Sequence, residues 1–133
     1  MDNRMGVDNE FLLELVPSNR LDVVGNLLGR IDFTLKLTNR ADTDMTFKIK
    51  CTSNDMFSIR PPIGEIKPSR SVTINIRYRC YDGTPPNPNV HHYFIVYHIP
   101  QPVDSYPDGA WLEHYGPAQG ERRLSVRFFH NSA

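Results

Sequence analysis

Few side chains in this chain of 133 residues have types and spacings suited to chemistry. Its five histidines include His91, His92 and His98, and histidine is a common zinc ligand. On one extended strand His91 and His92 point to opposite faces, while His92 and His98 lie about 20 Å apart at roughly 3.3 Å per residue. These three cannot share one ion without a ligand from another strand. We therefore interpret them as surface or rim residues and predict no metal site.

The two cysteines, Cys51 and Cys80, fall among the inward-facing residues of alternating segments. They are expected to be free thiols that pack as small hydrophobic residues. A nucleophilic Cys51 would need a neighbouring base, and none is evident. The chain also lacks a Gly-rich phosphate loop, a Gly-x-Ser-x-Gly elbow and a His-Glu-x-x-His motif. The sequence predicts no catalytic residue, no cofactor and no enzymatic activity.

Two groups of residues remain as candidates for binding. Lys48, Lys50 and Thr52 share the polar side of one alternating segment. That side could form charge-assisted hydrogen bonds with an acidic or phosphorylated peptide, or it could be an ordinary solvated sheet face.

The second group is Tyr93, Ile95 and Tyr97, which must face outward if Phe94 and Val96 face inward. An apolar stripe on the outer face of a sheet usually has a cover. The cover could be a partner protein, a second copy of this chain, or the loop of residues 100–109.

Period-two alternation of apolar and polar residues predicts the strands that position these groups. A short strand is also expected at residues 57–59, before a proline break at residues 61–64. A proline-rich loop at 81–89 and one or two helical turns at 109–115, capped by Asp108, complete the pattern. The main alternating segments are residues 31–38, 45–52, 71–80 and 123–128, and residues 91–99 are predicted to form a strand that is apolar on both faces. We predict an all-β fold, a seven-stranded antiparallel immunoglobulin-like β-sandwich, with a closed barrel as the alternative.

Composition predicts one soluble domain. Fifteen basic residues balance fifteen acidic ones, which argues against nucleic acid as a partner. The apolar runs fall short of the roughly 20 residues that span a bilayer, and the start lacks the apolar stretch of a signal peptide. We expect a flexible tail over residues 1–10, a single domain over residues 11–130, no membrane insertion, and a cytoplasmic location.

Residues 47–54 (FKIKCTSN) and 59–68 (IRPPIGEIKP) carry a resemblance to a known family. An alternating strand ending in Lys-x-Thr, a short strand and then Pro-x-x-Gly resemble the family that joins nematode major sperm proteins with the VAMP-associated proteins. Residues 13–17 resemble its opening strand. The resemblance runs from about residue 12 to residue 129 and implies the immunoglobulin-like sandwich of the MSP domain.

The resemblance implies two possible functions. Major sperm proteins dimerise and build a cytoskeleton without binding nucleotide, and VAMP-associated proteins bind acidic, phenylalanine-containing FFAT peptides. Trp111, Gly116 and the ending at residues 122–131 resemble the sperm branch. Lys48, Lys50 and Thr52 match positions that touch the acidic peptide, but Tyr93 and Ile95 stand where the peptide-binding branch has a lysine and a methionine.

The leading hypothesis is therefore a structural, cytoskeletal protein that forms homodimers or larger oligomers, or binds sibling proteins, through Tyr93, Ile95 and Tyr97. The alternative is an adaptor domain, or a fragment of a longer protein that contains one, that binds short acidic motifs. Its candidate contacts are Lys48, Lys50, Cys51 and Thr52.

Overall fold

The computed structural model describes residues 10–131. Within that range there are nine strands and one short helix, with these bounds: β1 Leu13–Val16, β2 Arg20–Gly25, β3 Arg30–Asn39, β4 Met45–Cys51, β5 Phe57–Arg60, β6 Ile63–Ile66, β7 Ser71–Arg79, β8 Tyr93–Pro100, α1 Pro107–Glu113 and β9 Gly120–His130. Nearly all of the predicted tail, residues 1–10, lies outside the described residues. The domain bounds 11–130 stay a prediction.

The strands form two sheets. One has the order β1-β3-β7-β5 and the other the order β2-β9-β8-β4-β6. Neighbouring strands are antiparallel except for β2 and β9, which run parallel. The predicted immunoglobulin-like sandwich is confirmed, with nine strands in residues 10–131 instead of seven. The additional strands include β2 and β6, which are too short for alternation to indicate them clearly.

The alternation places one row of each strand in a common core. Ile74, Ile76 and Tyr78 of β7 are buried, as are Phe94 and Val96 of β8 in the other sheet. Aromatic rings occupy one end of this core, where Phe57 and Phe94 meet edge to face with their centroids 4.9 Å apart. Burial raises the pKa of Tyr78 to about 12. Its hydroxyl donates a 2.6 Å hydrogen bond to the Leu27 carbonyl.

Pro61 and Pro62 stand where the chain passes from one sheet to the other. Proline has no backbone N–H, so strand pairing stops here. The expected break at residues 61–64 is too long, because Ile63 and Gly64 already belong to β6, which pairs with β4. The proline-rich loop after β7 also crosses between the sheets and leads to β8, which begins at Tyr93 and not at His91.

The helix α1 begins and ends two residues earlier than the predicted turns at residues 109–115. Asp108 is not its cap, because the helix starts at Pro107 and Asp108 lies in the first turn. The fixed φ of proline suits the first helical position. Trp111 packs the helix against the five-stranded sheet and donates a 3.3 Å hydrogen bond from Nε1 to the Phe47 carbonyl.

Candidate protein-binding surface

The two groups of candidate residues form one continuous surface. Strands β4 and β8 are neighbours in the five-stranded sheet, and their register sets Lys48 opposite Tyr97 and Lys50 opposite Ile95. From the sequence alone, the basic group and the aromatic group were alternative binding surfaces. The structure brings them side by side on the outer face of the same sheet.

Strand β9 adds a cation to this surface. It lies on the other side of β8, with Ser125 opposite Tyr93, Arg123 opposite Ile95 and Glu121 opposite Tyr97. The Arg123 guanidinium stacks on the Tyr93 ring, 4.1 Å from its centre. We use the name binding face for Lys48, Lys50, Thr52, Tyr93, Ile95, Tyr97 and Arg123.

Helix α1 closes one end of the binding face. The Lys48 ammonium lies 4.7 Å from the centre of the Trp111 ring. Beside it, a shallow depression of about 320 Å³ lies between Lys50, Tyr97, Trp111 and the chain that follows the helix. Burial, and then the charge of Lys50, lower the pKa of Lys48. The positive charges of Lys48 and Lys50 repel each other, so an anion on this part of the face would be stabilised.

Thr52 lies at the other end of the binding face, where it forms hydrogen bonds to the start of β8. Its hydroxyl lies 2.8 Å from Nδ1 of His92 and accepts a 3.3 Å hydrogen bond from the Tyr93 N–H. The Thr52 N–H in turn donates to the Tyr93 carbonyl. Burial lowers the pKa of His92, which keeps the ring neutral. The hydroxyl at this end of the face therefore has a fixed position.

Cys51 is separated from the other candidate residues. Lys50 and Thr52 on either side of it face outward, while its own side chain packs against the core and its Sγ lies 3.4 Å from the Ser53 carbonyl. Burial raises the pKa of its thiol, so it stays protonated. The structure brings together the six other predicted residues and leaves Cys51 on the inner side of the sheet.

The binding face offers both charge and apolar area. Tyr93, Ile95 and Tyr97 are half-buried, because Lys50 and Arg123 flank the row on either side. The binding face contains three cations and no carboxylate, and Glu121 lies beside it, opposite Tyr97. Such a surface can hold an extended segment that carries acidic groups together with an aromatic or aliphatic side chain.

Sequence reasoning missed Arg123. It belongs to the polar set of the last alternating segment, and that alternation shows only that it faces outward. The pairing of β9 with β8, which places it over Tyr93, depends on tertiary contacts that periodicity does not encode. Among residues 10–131 no three His, Cys, Asp or Glu side chains are grouped so as to hold a metal ion. The interpretation of His98 as a surface or rim residue is wrong: it faces inward with Phe94 and Val96 and is fully buried, because its ring accepts a hydrogen bond from the Leu12 N–H.

The comparisons with known proteins agree on one family. The family model described as the MSP (major sperm protein) domain matches residues 12–113. An uncharacterised protein of Caenorhabditis elegans is 40% identical over 68 residues, which is 51% of each chain. Human vesicle-associated membrane protein-associated protein A is 28% identical over 105 residues, covering 79% of this chain and 42% of that protein. The chain thus spans about half or less of the length of these relatives.

Solved structures show the same fold. The C. elegans MSP family member WR4 superposes with a TM-score of 0.69 at 17% identity, over 90% of this chain and 99% of the other. The MSP-domain protein-like SSP-19 of C. elegans has a TM-score of 0.65 at 23% identity, over 85% and 97%. No helix among the described residues is long and apolar enough to cross a membrane.

Proposed function

Because the chain belongs to the MSP (major sperm protein) domain family, we propose that it is a non-enzymatic protein-interaction domain whose binding face holds an extended acidic segment of another protein. The segment lies along β8, with its acidic groups near Lys48, Lys50 and Arg123 and an apolar side chain over Ile95. The stacking of Arg123 on Tyr93 is the observation that carries this proposal.

Arg123 supports the proposal because it supplies charge where the sequence suggested a loss. Tyr93 stands where peptide-binding relatives are expected to carry a lysine, which favoured self-association in the sequence interpretation. With the guanidinium 4.1 Å above the Tyr93 ring, the same place on the face has a cation again, contributed by the neighbouring strand. An arginine in this position also offers several N–H donors to a carboxylate.

Calorimetric titration with an acidic, phenylalanine-containing peptide tests the proposal. We expect binding that weakens as salt is added, because the charges on the face are exposed to screening. Lys50→Glu should weaken binding by about tenfold or more, since a charge-assisted hydrogen bond contributes about 1.5–3 kcal/mol.

Lys36→Glu is the matched control, because it makes the same change of charge on the other sheet. It should leave the affinity within about twofold, since the exposed charges of the two sheets are screened from each other. Absence of heat at millimolar peptide, or equal losses in Lys50→Glu and Lys36→Glu, would rule the proposal out.

Self-association of a cytoskeletal, sperm-protein type is the second candidate, and the row of Tyr93, Ile95 and Tyr97 favours it. A symmetric dimer through this face would set its cations against those of the second copy. A contact between the binding face and a different, acidic surface of the next copy avoids that repulsion. Light scattering that grows with concentration and disappears in Tyr93→Asp would support this candidate, and a strict monomer would exclude it.

A further inference from the structure

The outer face of the four-stranded sheet concentrates positive charge. Its outward residues on β3, β7 and β5 include five cations and one carboxylate, a net of four positive charges in a chain whose formal net charge is zero. We call this set the arginine face. It consists of Arg30, Asp32, Lys36, Arg60, Arg77 and Arg79.

The single carboxylate of these three strands neutralises only part of this charge, and the Glu14 carboxylate on β1 is already paired with Arg40. Asp32 accepts a 2.9 Å hydrogen bond from Nε of Arg77 and lies 3.6 Å from Arg30. Arg77 lowers the pKa of Asp32, so the carboxylate stays ionised and both arginines share one negative charge. Within residues 10–131, Lys36 and Arg60 form no ion pair. Two cations on the face are thus fully available to an anionic partner.

The arginine face is broad and shallow. Short polar side chains, among them Thr34, Ser58 and Asn75, stand between the cations and help to line a depression of about 320 Å³. From Arg30 to Lys36 the face extends about 20 Å along β3, and from β3 to β5 it is about 10 Å wide. A flat sheet face of this kind cannot enter a nucleic-acid groove, which admits a helix or a narrow ribbon. It matches a planar array of phosphates.

We propose that the arginine face docks on the surface of a bilayer that contains anionic phospholipids, without insertion. Each Lys or Arg near such a surface raises the partition coefficient of the protein from water onto the vesicle by about fivefold. Four net positive charges therefore raise this coefficient by several hundredfold. The proposal does not depend on the binding face, which lies on the other sheet.

Vesicle co-sedimentation at low and high salt tests the proposal. The probes are vesicles of phosphatidylcholine alone and of phosphatidylcholine with phosphatidylserine. We expect binding only when phosphatidylserine is present, and release by salt. In the double variant Lys36→Glu with Arg60→Glu, each reversal of charge should lower the partition coefficient by about thirtyfold. The attraction of one positive charge is lost and the repulsion of one negative charge is added.

The control is the double variant Lys50→Glu with Arg123→Glu, which changes the net charge equally on the opposite face. It should keep most of the vesicle binding, and thermal unfolding should show that both double variants fold. Equal loss in the two double variants, equal binding to both vesicles, or no binding at all would overturn the proposal. The proposal would also be overturned if soluble phosphoserine, at the same phosphate concentration as the vesicles, displaced the protein from them. Tighter binding to duplex DNA than to the vesicles would overturn it as well.

Discussion

At the scale of single residues, the proposed function rests on Arg123. Its guanidinium stacks on Tyr93 and faces the same solvent region as Lys50. Stacking restricts the long side chain before a partner arrives, so less conformational entropy is lost on binding. An ordered cation stacked on an aromatic ring, on the same face as two lysines, is suited to a carboxylate next to an aromatic side chain.

Substitution of Arg123 tests this role. Arg123→Ala should weaken binding of the acidic peptide by about tenfold or more, since both the charge and the stacked donor are lost. Arg123→Lys should recover only part of the affinity, because lysine keeps the charge without the planar group. Calorimetry provides the affinities. Equal affinities for wild type and Arg123→Ala would show that the cation takes no part.

His98 makes the stability of the fold depend on pH. It is buried, its Nε2 accepts a 3.0 Å hydrogen bond from the Leu12 N–H, and its Nδ1 lies 3.1 Å from Oε1 of Gln119. Because Nε2 is an acceptor, the neutral ring carries its proton on Nδ1 and donates it to Gln119. Phe11 covers the ring, and Arg122 stacks on Phe11. Burial lowers the pKa of His98 in the folded protein.

The free energy of unfolding should therefore fall as the pH drops below about 6.5. In that range His98 binds a proton in the unfolded chain but stays neutral in the folded protein. The slope for this residue is at most about 1.4 kcal/mol per pH unit. Urea unfolding between about pH 7.5 and about pH 5.5 measures it. His98→Asn, although less stable overall, should show a flatter dependence. A wild-type stability that is constant over this range would contradict the account.

At the scale of elements, the short strand β6 depends on a glycine. A Cβ atom built on Gly64 would lie 2.7 Å from Cε2 of Phe47, which is wholly buried on β4. The backbone of β6 passes directly over this ring. A side chain at residue 64 would have to displace the ring or push the strand away from β4.

Gly64→Ala should lower the free energy of unfolding by about 1–3 kcal/mol, the usual cost of overpacking a well-filled core. Gly29→Ala is the control, since the nearest atom to its added Cβ lies at 3.6 Å. That change should stay within about 0.5 kcal/mol of wild type. Urea denaturation of the three proteins is the measurement, and equal midpoints for both variants would show that the strand accommodates a side chain.

The limits of sequence prediction also belong to this scale. Strands such as β3, β4 and β7 were predictable because each buries one face, which produces period-two alternation. Strand β6 was hidden because four residues that include Gly64, directly after two prolines, have the composition of a turn. Six of the predicted binding residues share one face, since alternation also orients side chains. Arg123 lies beside these six residues because β9 is the neighbour of β8, and local sequence patterns do not specify the order of strands in a sheet.

The whole molecule has two outward faces of different character. The binding face interleaves cations with a half-buried aromatic row, whereas the arginine face combines cations with short polar side chains. The two sheets stand about 10 Å apart at the level of their backbones, and their outer surfaces lie farther apart, beyond the Debye length of about 8 Å at physiological salt. Each face can therefore hold its own partner while the other is occupied.

The central claim is that the binding face holds an acidic segment, and amide chemical shifts recorded during titration with an acidic, phenylalanine-containing peptide test it most directly. The account predicts shifts at Lys48, Lys50 and Thr52, along Tyr93 to Tyr97, and at Arg123, all lost in Lys50→Glu. Shifts confined to β3, β5 and β7, or none at millimolar peptide, would contradict it.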